Sequence, residues 1–202
     1  KVRLTSGLAN FDEKNEWAGF HGVFEAAEQT GRPCMIHHAA SKIPTEAVLK
    51  ALRPGDTYTH LYNPHPDHCF DEHGAPLDAL LEARSRGVVF DVGHGVGAFA
   101  WRVAEPACQK FGFWPDTIST DLHHFNLKGP VVDLPTTMSK FLYLGMPLEQ
   151  VIRATTSAPA AALRMEERFG TLRAGLQADV VLLRHERGNF PLEDAEGQIR
   201  HS

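Results

Sequence analysis

Four residues of this 202-residue chain stand where chemistry could be done. The apolar run "MIHHA" ends in His37, "TYTH" ends in His60, "VVFDVG" leads into His94 and "DTISTD" ends in Asp121. Imidazole and carboxylate are the donors that hold a borderline cation such as zinc. A lone histidine at the end of an apolar run is more often a hydrogen-bonded core or rim residue. Four successive runs ending in a ligand type make a different pattern. They recur at roughly 25–35 residues, about one βα unit each. If the runs are parallel strands of a barrel, all four ends face one mouth, where such folds keep their chemistry.

The elements between them support that arrangement. "RPCMIHHA" reads as a buried strand after Gly31 and Pro33. In "IPTEAVLKALRPGD", Val48, Leu49 and Leu52 share a helical face, and Pro54-Gly55 stops the helix. "TYTHLYNP" is β-branched and aromatic and closes at Pro64. "PLDALLEARSRG" is helical, with Pro76 in its first turn and Gly87 at its end. "VVFDVG" is a strand, and Ala100, Val103, Ala104, Ala107 and Phe111 follow at helical spacing. Residues 116–121 read as a further strand, Met138 to Leu144 and Leu148 to Thr155 as helices, and "ADVVLL" (178–183) as a last strand. Continuous apolar strands with short crossovers mean a parallel sheet covered on both faces. The glycines of "GHGVG" do not have dinucleotide-binding spacing, which counts against a nucleotide fold.

Composition narrows the class. The chain is 43% hydrophobic and 22% charged, with a net charge of −5, so it lacks the basic surface of a nucleic-acid binder. No run approaches the 18 or so apolar residues of a membrane span, and the first residues do not read as a signal peptide. Lys1 is not a methionine, so the sequence is expected to begin inside a longer chain. Cys34, Cys69 and Cys108 form no CxxC pair, which favours a reducing, cytoplasmic setting over a disulfide framework. Of the 12 histidines, His65, His68, His73, His185 and His201 fall in polar loops or tails and read as solvated.

The motifs "KVRL", "MIHHA", "PGDTYTHLYNP", "GVVFDVGHGVGAFAW", "PDTISTDLH", "PTTMSKFLYLGMPLEQVIRATTSAPAAAL" and "GTLRAGLQADVVLL" resemble the second half of a metal-dependent amidohydrolase. The likeness is to the dihydroorotase-like, N-acyl-amino-acid deacetylase branch, and it covers nearly the whole chain. It implies a (β/α)8 barrel, only part of it here, with part of a small β-sandwich: residues 1–165 as barrel and 166–202 as a strand segment of the sandwich. It also implies two divalent metal ions, zinc by family habit. Carried over by position, Lys1 matches a carboxylated lysine, His37 and His60 match single histidine ligands, and Asp121 matches the aspartate ligand. The family's first-strand His-x-His pair has no counterpart, because this chain corresponds to the family pattern from the fourth strand onward.

The activity implied is that of an amidohydrolase or deacetylase acting on a C–N bond other than a peptide bond. Its substrate would be a small molecule, an N-acyl amino acid first and a cyclic amide second; a metal-free scaffold is the non-enzymatic alternative. Two metals would acidify a shared water and polarise the amide carbonyl. Asp121 would take the proton and return it to the leaving amine. Lys1 would need to be neutral to react with CO2. His94 is read either as a substrate contact, its flanking glycines allowing close approach, or as support for Asp121. Arg3, Asn63 and His123 are weaker substrate-binding candidates. His38 should pack behind the mouth, since alternation turns it away from His37. Neither membrane nor nucleic acid is an expected partner, and a homo-oligomer is compatible with this reading. The geometric expectations are convergence of His37, His60 and Asp121, and a partial barrel with an open edge at its first strand.

Overall fold

The computed structural model describes residues 1–6 and 12–202. Its centre is a four-stranded parallel sheet: β1 (Val2–Leu4), β2 (Met35–His38), β3 (Thr57–Thr59) and β4 (Val89–Asp91). The strands lie in sequence order, β1-β2-β3-β4, each hydrogen-bonded to the next. Sequential parallel order, with no reversal, is the topology of a barrel wall rather than of a doubly wound sheet. Among the described residues β1 has one partner, β2, so its other edge is open, as expected.

The helices on the outer face have local causes. Residues 13–30, where the pattern raises no expectation, form α1 (Glu13–Thr30). Asp12 caps it, its carboxylate accepting from Lys14 N, and Gly31 ends it at φ +64°. Gly19 lets α1 close on β1, because a Cβ there would stand 3.3 Å from Val2 Cγ2. α2 (Thr45–Ala51) buries Val48 and Leu49, and α3 (Asp78–Ser85) buries Ala79, Leu80 and Ala83. α4 (Trp101–Glu105) runs on as one π-helical turn over Pro106–Lys110. α5 (Leu134–Leu144), α6 (Leu148–Thr155) and α7 (Ser157–Ala162) follow.

Two expected strands differ. Residues 116–121 make one parallel bridge, Asp91 to Thr117. Val92 N, His94 N and Gly95 N then donate to the carbonyls of Thr117, Ser119 and Thr120. The segment thus follows β4 as a fifth position in the wall without becoming a regular strand. Residues 178–183 form no strand; Val180, Val181 and Leu182 are exposed, Leu182 at 97%. An apolar strand needs a neighbour for its N–H and C=O groups, and no described segment pairs with this one. Instead β5 (Pro191–Glu193) and β6 (Ile199–His201) form an antiparallel hairpin. That hairpin is fastened to the start of α4: Trp101 N donates to Asp194 Oδ2 at 2.9 Å and Ala195 N to Phe99 O at 2.9 Å.

Sheet register sorts the side chains into two rows. Ile36, Tyr58 and Phe90 are successive partners, all fully buried against the helices. One residue along, Arg3, His37, Thr59, Asp91 and Thr117 are successive partners. Because strand side chains alternate, this second row faces the opposite side of the wall. It is polar throughout, and it is the row that carries the candidate chemistry.

Candidate active site

The mouth is built from the ends of β2, β3 and β4 and from residues 117–121. His37 lies on the inward row and His60 directly follows β3. Their rings meet edge to face with centroids 4.0 Å apart, and His37 Nδ1 stands 2.6 Å from His60 Nε2. On its other side, His60 Nδ1–H donates to Gly93 O at 2.5 Å. That bond sets the tautomer, leaving Nε2 to face His37 and the mouth. Burial depresses both histidines. His37 is pushed down to about 2 by burial first, then by the charges of His60, Arg3 and Lys1. His60 is lowered by burial against the opposing influence of Gly93 O and the Asp121 carboxylate. Two neutral imidazoles with converging nitrogens, one oriented by a backbone carbonyl, form a donor set that fits a divalent metal.

Backbone conformation marks the same place. His60 (φ +70°) and Asp121 (φ +47°) are two of five non-glycine residues at positive φ among the described residues. Such conformations cost about 1–3 kcal/mol each and persist where the surroundings impose them. Here Asn63 Nδ2 donates to His60 O at 2.9 Å, and Asn126 Nδ2 to Asp121 O at 3.1 Å. The glycines of "GHG" fit around both residues. A Cβ on Gly93 would stand 2.2 Å from Thr59 Oγ1 and 2.8 Å from His60 Nδ1; one on Gly95 would stand 3.2 Å from Asp121 Oδ2.

Placement of the remaining candidates is mixed. Asp121 is exposed and close enough to His60 to bear on its charge, but among the described residues no group of three or more His, Cys, Asp or Glu side chains closes into a metal cage. Lys1 precedes Val2 and is exposed; alternation puts it on the side of Arg3, and both cations bear on His37. His123 is half-buried in the loop after Asp121, its Nδ1 accepting from Phe125 N at 3.3 Å. Asn63 needs correction as a substrate contact, and of the two readings of His94 the geometry favours support over substrate contact. Asn63 is fully buried and spent on its own turn, since its Oδ1 accepts from His65 N at 3.0 Å. His94 is fully buried too, stacked on Phe99, with Nδ1–H on Gly95 O at 2.9 Å and Nε2 at 2.5 Å from Lys140 Nζ. With both nitrogens occupied it stands behind the mouth. His38 also lies behind it, between Tyr58 OH (3.0 Å) and Ile43 O (2.9 Å).

Asp91 is the residue that pattern reading passes over. Its buried carboxylate accepts from Thr59 Oγ1 (2.6 Å), Thr117 Oγ1 (2.7 Å) and Ser119 Oγ (2.7 Å). It ties β3, β4 and the irregular fifth segment together just below His60. A carboxylate inside "VVFDVG" was the available signal, because an acid in a buried strand needs partners.

A sequential parallel wall with converging imidazoles at its mouth has the architecture of one side of a parallel α/β barrel. Comparison with known proteins gives that architecture a family. The amidohydrolase family matches residues 12–196, and the chain belongs to that family. A deacetylase of Brucella anthropi is 35% identical over 169 residues, which is 83% of this chain and 41% of the relative. A deacetylase of Enterococcus faecalis is 33% identical over 170 residues, covering 83% and 46%. An adenine deaminase structure superposes with a TM-score of 0.91 at 28% identity, over 100% of this chain and 54% of that one. A dihydroorotase structure does so with a TM-score of 0.82 at 31% identity, over 99% and 51%. The chain therefore spans less than half the length of these deacetylases, and its sheet is a fragment of a (β/α)8 barrel.

Proposed function

We propose that this chain supplies one side of the active site of a metal-dependent hydrolase that cleaves the amide C–N bond of a small N-acyl amino acid. The observation that carries the reading is the His37–His60 pair, with neutral nitrogens meeting at the barrel mouth and the His60 tautomer set by Gly93. His37, His60, Asp121 and a carboxylated Lys1 would hold two divalent ions, zinc by ligand type. When bound, the ions supply an acidified water and polarise the scissile carbonyl.

The chain's own residues do the rest. Asp121, exposed at the mouth, takes a proton from the attacking water and returns it to the departing amine. Arg3, exposed on the His37 side of the sheet, offers a guanidinium to a substrate carboxylate. His123, in the loop next to Asp121, is a second contact for substrate. The deacetylase relatives favour an acyclic N-acyl substrate, and the dihydroorotase neighbour favours a cyclic amide. One experiment decides: metal stoichiometry by elemental analysis, then hydrolysis of N-acetyl amino acids and of dihydroorotate by the same preparation of the full chain. Cleavage of an N-acetyl amino acid, lost with the metal, supports the proposal. Loss of all metal with activity intact overturns it, and activity on dihydroorotate alone shifts it to the cyclic class.

A further inference from the structure

Lys140 is a fully buried lysine in the middle of α5. An isolated buried ammonium is costly, so its partners matter. Nζ has three N–H bonds to give and three acceptors around it: His94 Nε2 at 2.5 Å, Pro130 O at 2.8 Å and Glu193 O at 2.5 Å. It thereby joins α5 to the "GHG" turn, to the loop after Asp121 and to the β5–β6 hairpin. Phe99 covers it, its ring centre 5.6 Å from Nζ and 4.9 Å from the His94 ring. Glu193 and Asp194 are the carboxylates nearby, and they oppose the fall that burial imposes on the amine, which brings it to about 7.

The His94 ring has only one proton pattern that suits both neighbours. Gly95 O needs a donor, so Nδ1 carries the hydrogen; Lys140 donates, so Nε2 must be bare. In water a neutral imidazole can take either tautomer; here Gly95 O and the lysine together remove the choice, and the lysine holds the ring in place on Gly95 O. The turn that His94 holds has one glycine whose carbonyl orients His60 and another lying against Asp121.

We infer that Lys140 is a positioning residue: by fixing the tautomer and seat of His94 it holds the Gly93–Gly95 turn, and through that turn it orients His60 and Asp121. The hairpin at 191–201 shares in this through Glu193 O, so it acts as part of the support of the mouth. The inference rests on the proposed metal site only for its consequence on metal binding; the histidine tautomers test it separately.

The test is made on the full chain labelled with ¹⁵N-histidine, using ring nitrogen shifts to read each tautomer, with zinc titration alongside. In the wild type, His94 and His60 should both carry the proton on Nδ1. Lys140→Met should unseat the His94 ring from Gly95 O, so that an Nε2–H population appears beside the Nδ1–H form, broaden or shift the His60 ring signals, and weaken zinc binding about 10–100-fold, the usual cost of removing an outer partner. Phe141→Leu, one residue along α5 and equally buried, controls for general loosening; it should leave both tautomers and zinc affinity unchanged. An Nε2–H tautomer for wild-type His94 overturns the inference whether or not the variant folds. So does a Lys140→Met protein with wild-type histidine signals, or one that Phe141→Leu matches in every readout. Absence of zinc binding in the wild type, with the tautomers as stated, overturns the metal reading and leaves the positioning role standing.

Discussion

Gly93→Ala is the sharpest perturbation this structure offers. The added methyl would sit 2.2 Å from Thr59 Oγ1, 2.8 Å from His60 Nδ1 and 3.1 Å from His60 Cε1. None of these neighbours can yield freely. Thr59 Oγ1 is bonded to Asp91 at 2.6 Å, and the His60 ring is held by the very carbonyl of residue 93. The backbone adds its own cost, because φ is +48° and an L residue there loses about 1–2 kcal/mol. Forcing a methyl into a packed site costs about 1–3 kcal/mol more. The sum is about 2–5 kcal/mol. At about 2–4 °C per kcal/mol for a domain of this size, Tm should fall by roughly 4–20 °C. Zinc affinity should fall as well, by about 10–100-fold, because the bond that orients His60 is lost. Gly97→Ala is the control: nothing lies within 4 Å of its Cβ position and its φ is not in the left-handed region, so it should be near neutral. Differential scanning fluorimetry and zinc titration read both effects. A Gly93→Ala protein that melts within a degree of Gly97→Ala and keeps its zinc would refute the argument.

Other outcomes follow from the same geometry. Asp121→Asn should keep most metal but lose about 10²–10⁴-fold in turnover, since an amide cannot accept and return the proton; near wild-type turnover would remove Asp121 from that role. His37→Ala should lose metal and activity together, measured on one preparation by elemental analysis and kinetics. Asp91→Leu leaves three hydroxyls without their acceptor, each about 1–3 kcal/mol if unsatisfied, and should lower the urea midpoint sharply while Thr120→Ala does not. Burial pushes Cys34, Cys69 and Cys108 up to about 12, so at pH 8 their peptides should resist iodoacetamide until the chain unfolds; mass spectrometry that finds rapid labelling of the folded protein would count against the packing.

The sequence pattern reveals the strand ends but not what holds them. His37 and His60 are legible because a parallel wall must deliver its strand ends to one mouth. Their support is not, because most of it comes from residues distant in sequence, Gly93 O for His60 and Lys140 for His94, and the rest from an irregular loop with no periodicity, Asn126 for Asp121. His94 stays open between two readings for the same reason. Its glycine flanks suggest access for a ligand, while the space beside it is filled by a lysine from α5. Residues 178–183 do mislead. β-branched composition declares a preference for pairing, and pairing depends on a neighbour that composition cannot name. α1 carries two glycines and a polar surface that dilute its apolar stripe, yet it buries Phe20 and Ala27 in the core and packs Trp17, Val23 and Phe24 against it.

The sequential strand order also fixes how the mouth comes into being. Each pairing in the wall joins consecutive strands, so closing one βα unit after another costs little loop entropy and can proceed as the chain is made. The hairpin differs: Asp194 reaches Trp101 across 93 positions and Glu193 reaches Lys140 across 53. Docking of the hairpin is therefore the late, non-local step, and until it occurs Lys140 lacks one of its acceptors. Histidine pairing at the mouth should mature after the wall itself, so cation binding should appear only once residues 191–201 have docked on α4 and Lys140. Pulsed hydrogen exchange that protects the hairpin before β2 and β3 would reverse this order.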